Sequence, residues 1–529
     1  MIILKNARIY TQDPDQPFAE ALTIDNNRFI ACGSNQDMLK YETPGAIIED
    51  AQGAFIIPGL TDAHIHLEEY AAFLAKVDCE TPTRQECLDR VAQKVKVTPK
   101  GQWILGHGWN QHSWQEGFGN AKMLDIISTE HPIYLTAKSL HAGWCNSLAL
   151  QIMGIDAHTP DPPGGKFGRD EQGNPDGILF EYAMNVLEQH LPQKSQQETI
   201  NEINTAQKQL WQYGITGIHD FDGKTCYQAL QKLHQDNKLS LRVLKSIRKE
   251  DLIDWVQAGL VTDFGDDMLR IGSVKLFADG ALGPRTAAMF SPYQNEPENS
   301  GMLFLSSQQV FEIGMLAVQA GVSLAIHAIG DRANHEVLNG YALLREFEKK
   351  NNLPLRRHRM EHVQILHPDD ITRLHEMKII ASVQPIHISS DFLAANLWWG
   401  ERAAFAYPFR SLLDSGTALA FGSDAPVESP NPFWGLHAAI NRTRWDGEPS
   451  PDGWHPEQKL TLAESLHGFT ISAAYAAGVE DHLGRIMPGY LADLVVLPQN
   501  PFEVDAKSLH DMQPSATMVN GKWVWKRKE

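Results

Sequence analysis

Apolar runs of strand length recur along the middle of the chain and alternate with amphipathic stretches. The segments 198–213 and 308–320 repeat their apolar residues with the period of a helix. Such alternation of strand and helix is typical of a parallel sheet covered by helices. Eight strand-like runs can be counted, and eight such units predict an α/β fold of the TIM type, a closed (β/α)8 barrel with its chemistry at the carboxyl ends of the strands. The runs are 56–63, 215–220, 241–247, 272–278, 323–328, 358–362, 379–384 and 418–423.

Both ends of the chain show the shorter alternating runs of antiparallel strands. Segments 2–10 and 19–32 carry this pattern, and so do 493–497 and 517–525, the last with an Asn-Gly pair suited to a hairpin turn. Each end alone has too few strands to be stable. We therefore predict one discontinuous β-sandwich domain, formed by 1–54 and 485–529, beside a barrel domain at 55–484.

One connection is far longer than an ordinary link between a strand and a helix. Segment 67–193 separates the first apolar run from the second. It contains a strand-like run at 132–137 and a Pro- and Gly-rich stretch at 158–177, which we expect to be a loop. Because the segment leaves from the end of the first strand, it is predicted to be a cap inserted at the barrel mouth. A surface excursion without function is the alternative.

Composition narrows the classes of partner. The chain has 46 basic and 65 acidic residues and a formal charge of −19, which disfavours nucleic acid and acidic membrane surfaces as partners. Five cysteines without a Cys-x-x-Cys pair indicate reduced thiols, with no disulfide framework or thiolate zinc site. The first residues lack the features of a signal peptide. We expect a cytoplasmic protein that acts on a small molecule, and association into a homo-oligomer is left open.

Several predicted strands end in residues that can bind metal ions. The first run leads into two histidines two positions apart, which share one face of a strand. Taken singly, each residue has an ordinary explanation, such as a core histidine, a lysine that reaches the strand end, or a helix N-cap. Taken together, they offer nitrogen and oxygen ligands at one rim of a barrel, which suits zinc or a similar divalent ion. They are His64, His66, Lys275, His327, His362 and Asp424.

These motifs resemble the metal-dependent amidohydrolase superfamily, and specifically its amidohydrolase-3 subgroup of YtcJ-like and N-substituted formamide deformylase-like proteins. The similarity extends from the first strands to the C-terminal β-domain, so it covers most of the chain. The segments that carry it are 58–66, 140–147, 274–287, 325–331, 361–362, 422–426 and 489–494.

The resemblance implies two divalent metal ions, with zinc as the expected element. His64 and His66 would bind the more buried ion together with Asp424. His327 and His362 would bind the second ion. Such ions lower the pKa of a bound water to about 7. Asp424 would act as general base and then as general acid.

The resemblance also implies that Lys275 is carboxylated by carbon dioxide and bridges both ions as a carbamate. Burial of a lysine in an apolar strand is costly unless it is paired or modified, which agrees with that role. Two further histidines stand near these motifs. His358 precedes His362 by four residues, and His219 ends the second run. The sequence assigns a role to neither.

The expected activity is hydrolysis of a carbon–nitrogen bond other than a peptide bond, in a small-molecule amide. Tryptophans in the inserted segment and aromatic residues after the seventh run favour a substrate with an apolar or aromatic group, for example an N-substituted formamide. For Asp279 and Arg285, an ion pair is as good an interpretation as a substrate contact. The candidate substrate contacts are Trp109, His141, Asp279 and Arg285.

Two other functions are kept as alternatives. A deaminase of nucleobase type with a single metal would use a His-x-x-Glu motif on the fifth strand, but Gly330 occupies the place of the glutamate. In that case Lys275 would also have no role. The second alternative is a catalytically silent regulatory or binding protein on the same fold. A complete set of six ligands argues against it, although ligands alone do not establish turnover.

Overall fold

The computed structural model describes residues 1–110, 114–138, 141–191 and 194–528. Two compact units make up this part of the chain. One combines residues 1–70 with 199–529, and the other spans 71–198. Leu140, within one motif of the sequence resemblance, and Gln193, the last residue of the predicted insertion, lie outside the described residues.

The larger unit contains an eight-stranded sheet in which every neighbouring pair is parallel and the spatial order of the strands follows their order along the chain. A bridge between Ile65 and Ala425 joins its two edges, and the Asp424 N–H donates to the His64 carbonyl over 2.7 Å. The predicted (β/α)8 barrel is therefore confirmed. Barrel strands one to eight are Leu60–Ile65, Ile215–Asp220, Arg242–Arg248, Leu269–Phe277, Leu324–Ala328, Arg359–His362, Ile380–Val383 and Leu419–Phe421.

The first predicted run, 56–63, divides between two sheets. Phe55–Pro58 belongs to a terminal sheet, and the barrel strand begins only at Leu60. Gly59 lies at the division, where an added Cβ would come within 2.3 Å of the Thr216 hydroxyl. Pro58, the residue before Gly59, also lacks the backbone N–H that a continuous strand would use. The continuous apolar pattern hid this change of sheet because both halves are buried.

Helices follow the barrel strands, as the helical periodicity predicts. The helix Ser307–Gln319 begins with a reciprocal capping box between Ser306 and Gln309. In the part of the chain described, no helix combines the length and apolar character needed to cross a membrane. The α-helices of the larger unit are Asn35–Met38, Leu67–Ala75, Gln196–Gln212, Lys224–Gln235, Leu252–Gln257, Ser307–Gln319, Asp331–Lys350, Ile371–Glu376, Ile388–Trp399, Phe409–Asp414, Pro432–Asn441, Leu462–Gly468 and Ile471–Ala477; the first part of Leu67–Ala75 and most of Gln196–Gln212 lie in this unit.

Two further sheets are built from the chain ends. One has the order Arg28–Gly33, Ala21–Asp25, Ile2–Lys5, Ile47–Asp50. The other has the order Lys522–Lys526, Ala516–Val519, Leu494–Leu497, Phe55–Pro58, Arg8–Tyr10, Phe18–Ala19, and so combines strands from both ends. Apolar residues from both sheets, including Leu22, Phe29, Ile56 and Leu494, form one core between them. The expectation that each end has too few strands is wrong for the amino-terminal end, which supplies the first sheet alone, but the shared core draws on both ends.

The smaller unit has its own six-stranded sheet and its own core. The predicted loop at 158–177 instead contains parts of two antiparallel strands, because Asp170 and Asn174 exchange hydrogen bonds that close a turn between them. The sheet order is Gly165–Arg169, Pro175–Glu181, Ala142–Cys145, Ile133–Ala137, Ile104–Trp109, Val77–Asp78. Its α-helices include Arg84–Val97, Ala121–Asp125 and Ser147–Ile152, and Tyr182–Gln189 is a 3-10 helix.

Candidate metal centre

A cavity of about 360 Å³ lies at the carboxyl ends of the barrel strands of the larger unit. Because all eight strands are parallel, side chains at these strand ends meet on one face of the barrel. The cavity wall also contains apolar residues, among them Phe277, Leu282 and Ile329. All six predicted metal ligands line it, namely His64, His66, Lys275, His327, His362 and Asp424.

The first and eighth strands bring three ligand atoms together. Asp424 Oδ1 lies 3.4 Å from His64 Nε2 and 3.5 Å from His66 Nε2. These three side chains can therefore present their ligand atoms within 4.8 Å of one another. Lys275 Nζ lies 3.4 Å from His64 Nε2 and 4.5 Å from the centre of the Phe221 ring. The arrangement is a compact set of nitrogen and oxygen donors around Asp424.

The two strand-one histidines are each held from behind by a buried carboxylate. His64 Nδ1 donates to Glu361 Oε2 over 2.6 Å, and His66 Nδ1 donates to Asp222 Oδ1 over 3.1 Å. A histidine whose one nitrogen donates to a carboxylate has its other nitrogen free for a metal ion. In both rings that other nitrogen is the Nε2 that faces Asp424.

The histidines of strands five and six are fixed in the same way. His327 Nε2 lies 2.9 Å from the Gly280 carbonyl, so that Nδ1 is the ring nitrogen that can bind a metal. His362 Nδ1 lies 2.8 Å from Gln384 Oε1, which leaves Nε2 for that role. The two rings meet edge to face, with their centres 4.6 Å apart. All four histidines thus combine an orienting hydrogen bond at one ring nitrogen with a second nitrogen that could bind a cation; in His64 that second nitrogen lies 3.4 Å from Lys275 Nζ.

The pKa values of four of these side chains are lowered, which favours the neutral forms that can bind a metal ion. Burial lowers the pKa of Lys275 to about 8 and that of His327 to about 3. Burial also holds the pKa values of His64 and His362 well below their usual range. A metal ion requires neutral imidazoles. The donor set therefore fits a divalent ion.

Two members of the set have raised pKa values. Burial raises the pKa of Asp424. For His66, burial alone would lower the pKa, but the carboxylates of Asp222 and Asp424 outweigh it and raise the pKa. This accumulation of negative charge around His66 is what a bound cation would neutralise.

A histidine that the sequence interpretation did not single out also reaches the cavity. His387 follows barrel strand seven, and its Nε2 lies 3.9 Å from Asp424 Oδ2. It forms a second group of potential ligands with His362 and Asp424. The signal was available, because His387 comes just after Gln384 at the carboxyl end of a predicted strand.

The two unassigned histidines are structural. His219 Nδ1 lies 2.8 Å from Arg359 Nη1, and Arg359 also binds Glu361, the carboxylate behind His64. His358 accepts the Leu324 N–H at Nδ1 and contacts a buried glutamate through Nε2. Neither histidine lines the cavity.

Two predicted substrate contacts of the larger unit have other partners. Asp279 is only 1% exposed and accepts the backbone N–H groups of Ala288, Ile329 and Gly330. It therefore orders the loops behind His327 and is not available to a substrate. Arg285 does not pair with Asp279; its Nε lies 3.1 Å from Glu296. The ion-pair interpretation of Arg285 is correct, but with a different acid.

The other two predicted contacts lie in the smaller unit. Trp109 is fully buried, and its indole N–H donates to the Leu135 carbonyl over 2.7 Å. Its ring packs against Trp114 and Trp144, so the structure gives it a packing role in place of the predicted substrate contact. The side chain of His141 is exposed and lies 2.9 Å from a glutamate. Its role as a substrate contact stays a prediction.

Comparison with known protein families gives one match that covers most of the chain. The family model described as "Amidohydrolase family" matches residues 48–525. A solved structure described as an uncharacterized metal-dependent hydrolase from Pyrococcus furiosus is 28% identical, with a TM-score of 0.77. That similarity covers 95% of this chain and all of the other.

Two curated relatives are similar over nearly their full lengths. "Protein LONG AFTER FAR-RED 3" of Arabidopsis thaliana is 31% identical over 99% of this chain and 91% of its own. "N-substituted formamide deformylase" of Arthrobacter pascens is 28% identical over 98% of this chain and 97% of its own. The matches therefore include the barrel, the terminal sheets and the smaller unit.

Proposed function

The chain belongs to the amidohydrolase family, and from this premise we propose that it hydrolyses a carbon–nitrogen bond other than a peptide bond in a small-molecule amide. The observation that carries the proposal is the meeting of six potential ligands in one cavity at the carboxyl ends of the barrel strands. Each of the four histidines among them makes one hydrogen bond to a group behind it, so its other ring nitrogen can bind a cation. Family membership and this donor set support a divalent metal ion as the cofactor.

We assign two ions, with zinc as the expected element, to the six residues. His64, His66 and Asp424 would hold one ion, and His327 and His362 would hold the other. When bound, such ions supply an activated water and polarise the substrate carbonyl. The nitrogen and oxygen character of the donors supports zinc.

Lys275 would join the two sites as a carbamate. Its neutral amine would form a bond from Nζ to the carbon of carbon dioxide and release one proton, which leaves a carboxylate with two oxygen ligands. The lowered pKa of Lys275, about 8, supports this reaction because it increases the fraction of neutral amine near neutral pH. A carbamate would also remove the repulsion between an ammonium group and two cations.

Asp424 is the proposed general base and acid. Its carboxylate would take a proton from the attacking water and deliver one to the leaving amine nitrogen, which avoids expulsion of an unstable amide anion. Burial raises its pKa, as suits a group that must both accept and return a proton. Its Oδ1 atom lies 3.4 Å from His64 Nε2 and 3.5 Å from His66 Nε2, so one cation could bind all three atoms.

The substrate is proposed to carry an apolar or aromatic group. Phe277, Leu282 and Ile329 give the cavity apolar wall area, which would reward burial of such a group. An N-substituted formamide is one example, and it is also the compound class in the printed name of the Arthrobacter relative.

A substrate screen tests this proposal. Protein purified with zinc and bicarbonate should release amine from at least one member of a set of N-formyl, N-acyl and cyclic amides. The rate should rise from methyl to benzyl substituents. Asp424→Asn protein, prepared alongside, is the control for contaminating activity. Absence of amine release across the set, with metal bound, would contradict the proposal.

A further inference from the structure

One wall of the cavity is formed by three connected polar side chains that the ligand assignment does not use, with a tyrosine behind them. Gln364 follows barrel strand six, and His387 and Asp391 follow barrel strand seven. All three line the cavity, and Tyr407 supports them from behind. Gln364 is 3% exposed and His387 is 5% exposed. A buried polar group of this size needs partners for its hydrogen-bonding atoms.

The hydrogen bonds of this group fix the orientation of the Gln364 amide. Tyr407 Oη donates to Asp391 Oδ2 over 2.5 Å, and Gln364 Nε2 lies 3.4 Å from the same oxygen. A carboxylate only accepts hydrogen bonds, so the NH₂ end of the amide must face Asp391. The carbonyl atom Oε1 of Gln364 is therefore directed away from Asp391.

The same amide determines the tautomer of the His387 ring. Gln364 Nε2 lies 3.3 Å from His387 Nδ1. Because that amide nitrogen has hydrogens to donate and no lone pair to offer, His387 Nδ1 must accept. A neutral imidazole carries one proton, which then lies on Nε2. His387 therefore presents an N–H donor at Nε2.

Two atoms of this wall remain buried without a hydrogen-bond partner among the described residues. They are Gln364 Oε1, an acceptor, and His387 Nε2, a donor. The nearest carboxylate atom to His387 Nε2 is Asp424 Oδ2 at 3.9 Å, which is beyond hydrogen-bonding distance. A buried acceptor and a buried donor without hydrogen bonds cost free energy unless a ligand supplies their partners. Both atoms belong to residues that line the same cavity as Asp424.

We propose that Gln364 and His387 together recognise the amide group of the substrate. His387 Nε2–H donates to the carbonyl oxygen, and Gln364 Oε1 accepts the N–H of the amide nitrogen. The substrates are therefore amides that carry at least one N–H, and N,N-disubstituted amides are excluded. This inference rests on the proposed amide hydrolysis and adds to it the class of amide.

The wall has one competing interpretation, in which His387 binds a metal ion. His362, His387 and Asp424 present ligand atoms within 4.8 Å of one another. A ring nitrogen that carries a proton has no lone pair for a metal, so the hydrogen bond from Gln364 favours substrate recognition. The two interpretations differ in one measurable respect, because only a metal ligand changes the metal content when it is removed.

The test compares two substrates that differ by one methyl group, N-benzylformamide and N-benzyl-N-methylformamide. For the wild type, kcat/KM should be at least about 30-fold higher for the first, since a site built around a hydrogen bond rejects an analogue that lacks it. Gln364→Met should reduce this ratio to below about 3, mainly through loss of activity on N-benzylformamide. Val427→Ala, in an apolar part of the cavity wall, should change both rates alike and keep the ratio.

Two variants of His387 test its role as a hydrogen-bond donor to the substrate. His387→Leu should lower kcat/KM on N-benzylformamide, and His387→Gln should recover part of the loss because its amide can replace the Nε2 donor. Metal content per chain should equal that of the wild type in both. A fall in metal content in His387→Leu would overturn the assignment in favour of a metal ligand.

A binding measurement separates this inference from the proposed function. Titration calorimetry on metal-loaded Asp424→Asn protein should show at least about tenfold tighter binding of N-benzylformamide than of its N-methyl analogue. Equal binding, or no binding of either compound, would overturn the inference. Turnover of both compounds at equal rates would overturn the inference and leave amide hydrolysis intact, whereas turnover of neither would count against the proposed function.

Discussion

At the scale of single residues, the site includes two predicted ligands whose unusual backbone angles are stabilised by hydrogen bonds to neighbouring strands. His362 and Asp424 both have left-handed backbone angles, with φ of 74° and 60°. Such conformations are costly for residues other than glycine and persist where neighbouring contacts determine them. The backbone bond from Asp424 to His64 and the side-chain bond from His362 to Gln384 are contacts of that kind.

The first residue-scale prediction concerns Asp424. Asp424→Asn should lower kcat by about 10²- to 10⁴-fold, because an amide cannot take the proton of the attacking water. The fold should persist, since asparagine keeps the size of the side chain. Steady-state kinetics on the best amide of the screen and circular dichroism measure the two effects. Asp369→Asn, a change at an exposed aspartate, is the control. An Asp424→Asn enzyme with more than half of the wild-type rate would refute the role.

The second prediction concerns Lys275. Lys275→Ala should lose bound metal and activity together, because it removes the proposed bridge. Formate should restore part of both, since its carboxylate can occupy the space of the missing carbamate. Elemental analysis and kinetics, with and without formate, make the measurement. Full metal occupancy and full rate in Lys275→Ala would show that the bridge assignment is wrong.

The third prediction concerns pH. Burial lowers the pKa of Lys275 from 10.5 to about 8, so its amine is neutral above pH 8 and is an ammonium group below it. Only the neutral amine reacts with carbon dioxide. At constant dissolved carbon dioxide, the rate at which metal-free protein recovers activity with zinc should therefore rise through a midpoint near pH 8. A midpoint near the ordinary lysine pKa of 10.5 would contradict the lowered pKa.

Much of the site could be predicted because its residues end recognisable strands. His64, His66, Lys275, His327, His362 and Asp424 follow or lie within apolar runs, and the parallel sheet brings them together. The hydrogen-bond partners could not be predicted, because Asp222, Glu361 and Gln384 acquire their roles only through distances across the barrel. Asp279 and Trp109 were misjudged because burial depends on packing that the sequence does not display.

At the scale of elements, most barrel strands were predictable to within a few residues because they are apolar runs, although barrel strand six, Arg359–His362, contains only one apolar residue, Met360. Ile215–Asp220 agrees fully with its run, and Leu269–Phe277 begins three residues before its run and ends one residue earlier. The change of sheet at Gly59 was not predictable, because it depends on Thr216 and on an aspartate far along the chain. Sequence periodicity reports burial, and it does not report which sheet buries a strand.

A fourth prediction tests the link between the barrel and the terminal strands. Arg242 on barrel strand three holds Asp493 through two hydrogen bonds of 2.6 and 2.8 Å, and both groups are buried. Asp493→Ala would leave the guanidinium buried and unpaired, which should lower the free energy of unfolding by about 3–5 kcal/mol. Chemical denaturation gives this value. Glu503→Ala removes an exposed partner of Arg8 and should change stability little. Similar small effects of both changes would refute the importance of the buried pair.

At the scale of the whole molecule, charge and architecture agree with a small-molecule enzyme. The formal charge of −19 disfavours an anionic nucleic acid as a partner, and the candidate metal ligands line the same cavity as the side chains proposed to recognise an amide. Both termini contribute strands to one sheet, so truncation at either end should remove partners from the other. The eight-stranded barrel supplies the common rim on which the site is built.

The central claim is that this rim holds two divalent ions joined by a carboxylated Lys275. The most direct measurement is a crystal structure of protein purified with zinc and bicarbonate, with anomalous diffraction data collected at the zinc edge. We expect two anomalous peaks, one beside His64, His66 and Asp424 and one beside His327 and His362, with extra density beyond Lys275 Nζ that reaches both. One peak or none, together with an unmodified Lys275, would contradict the account.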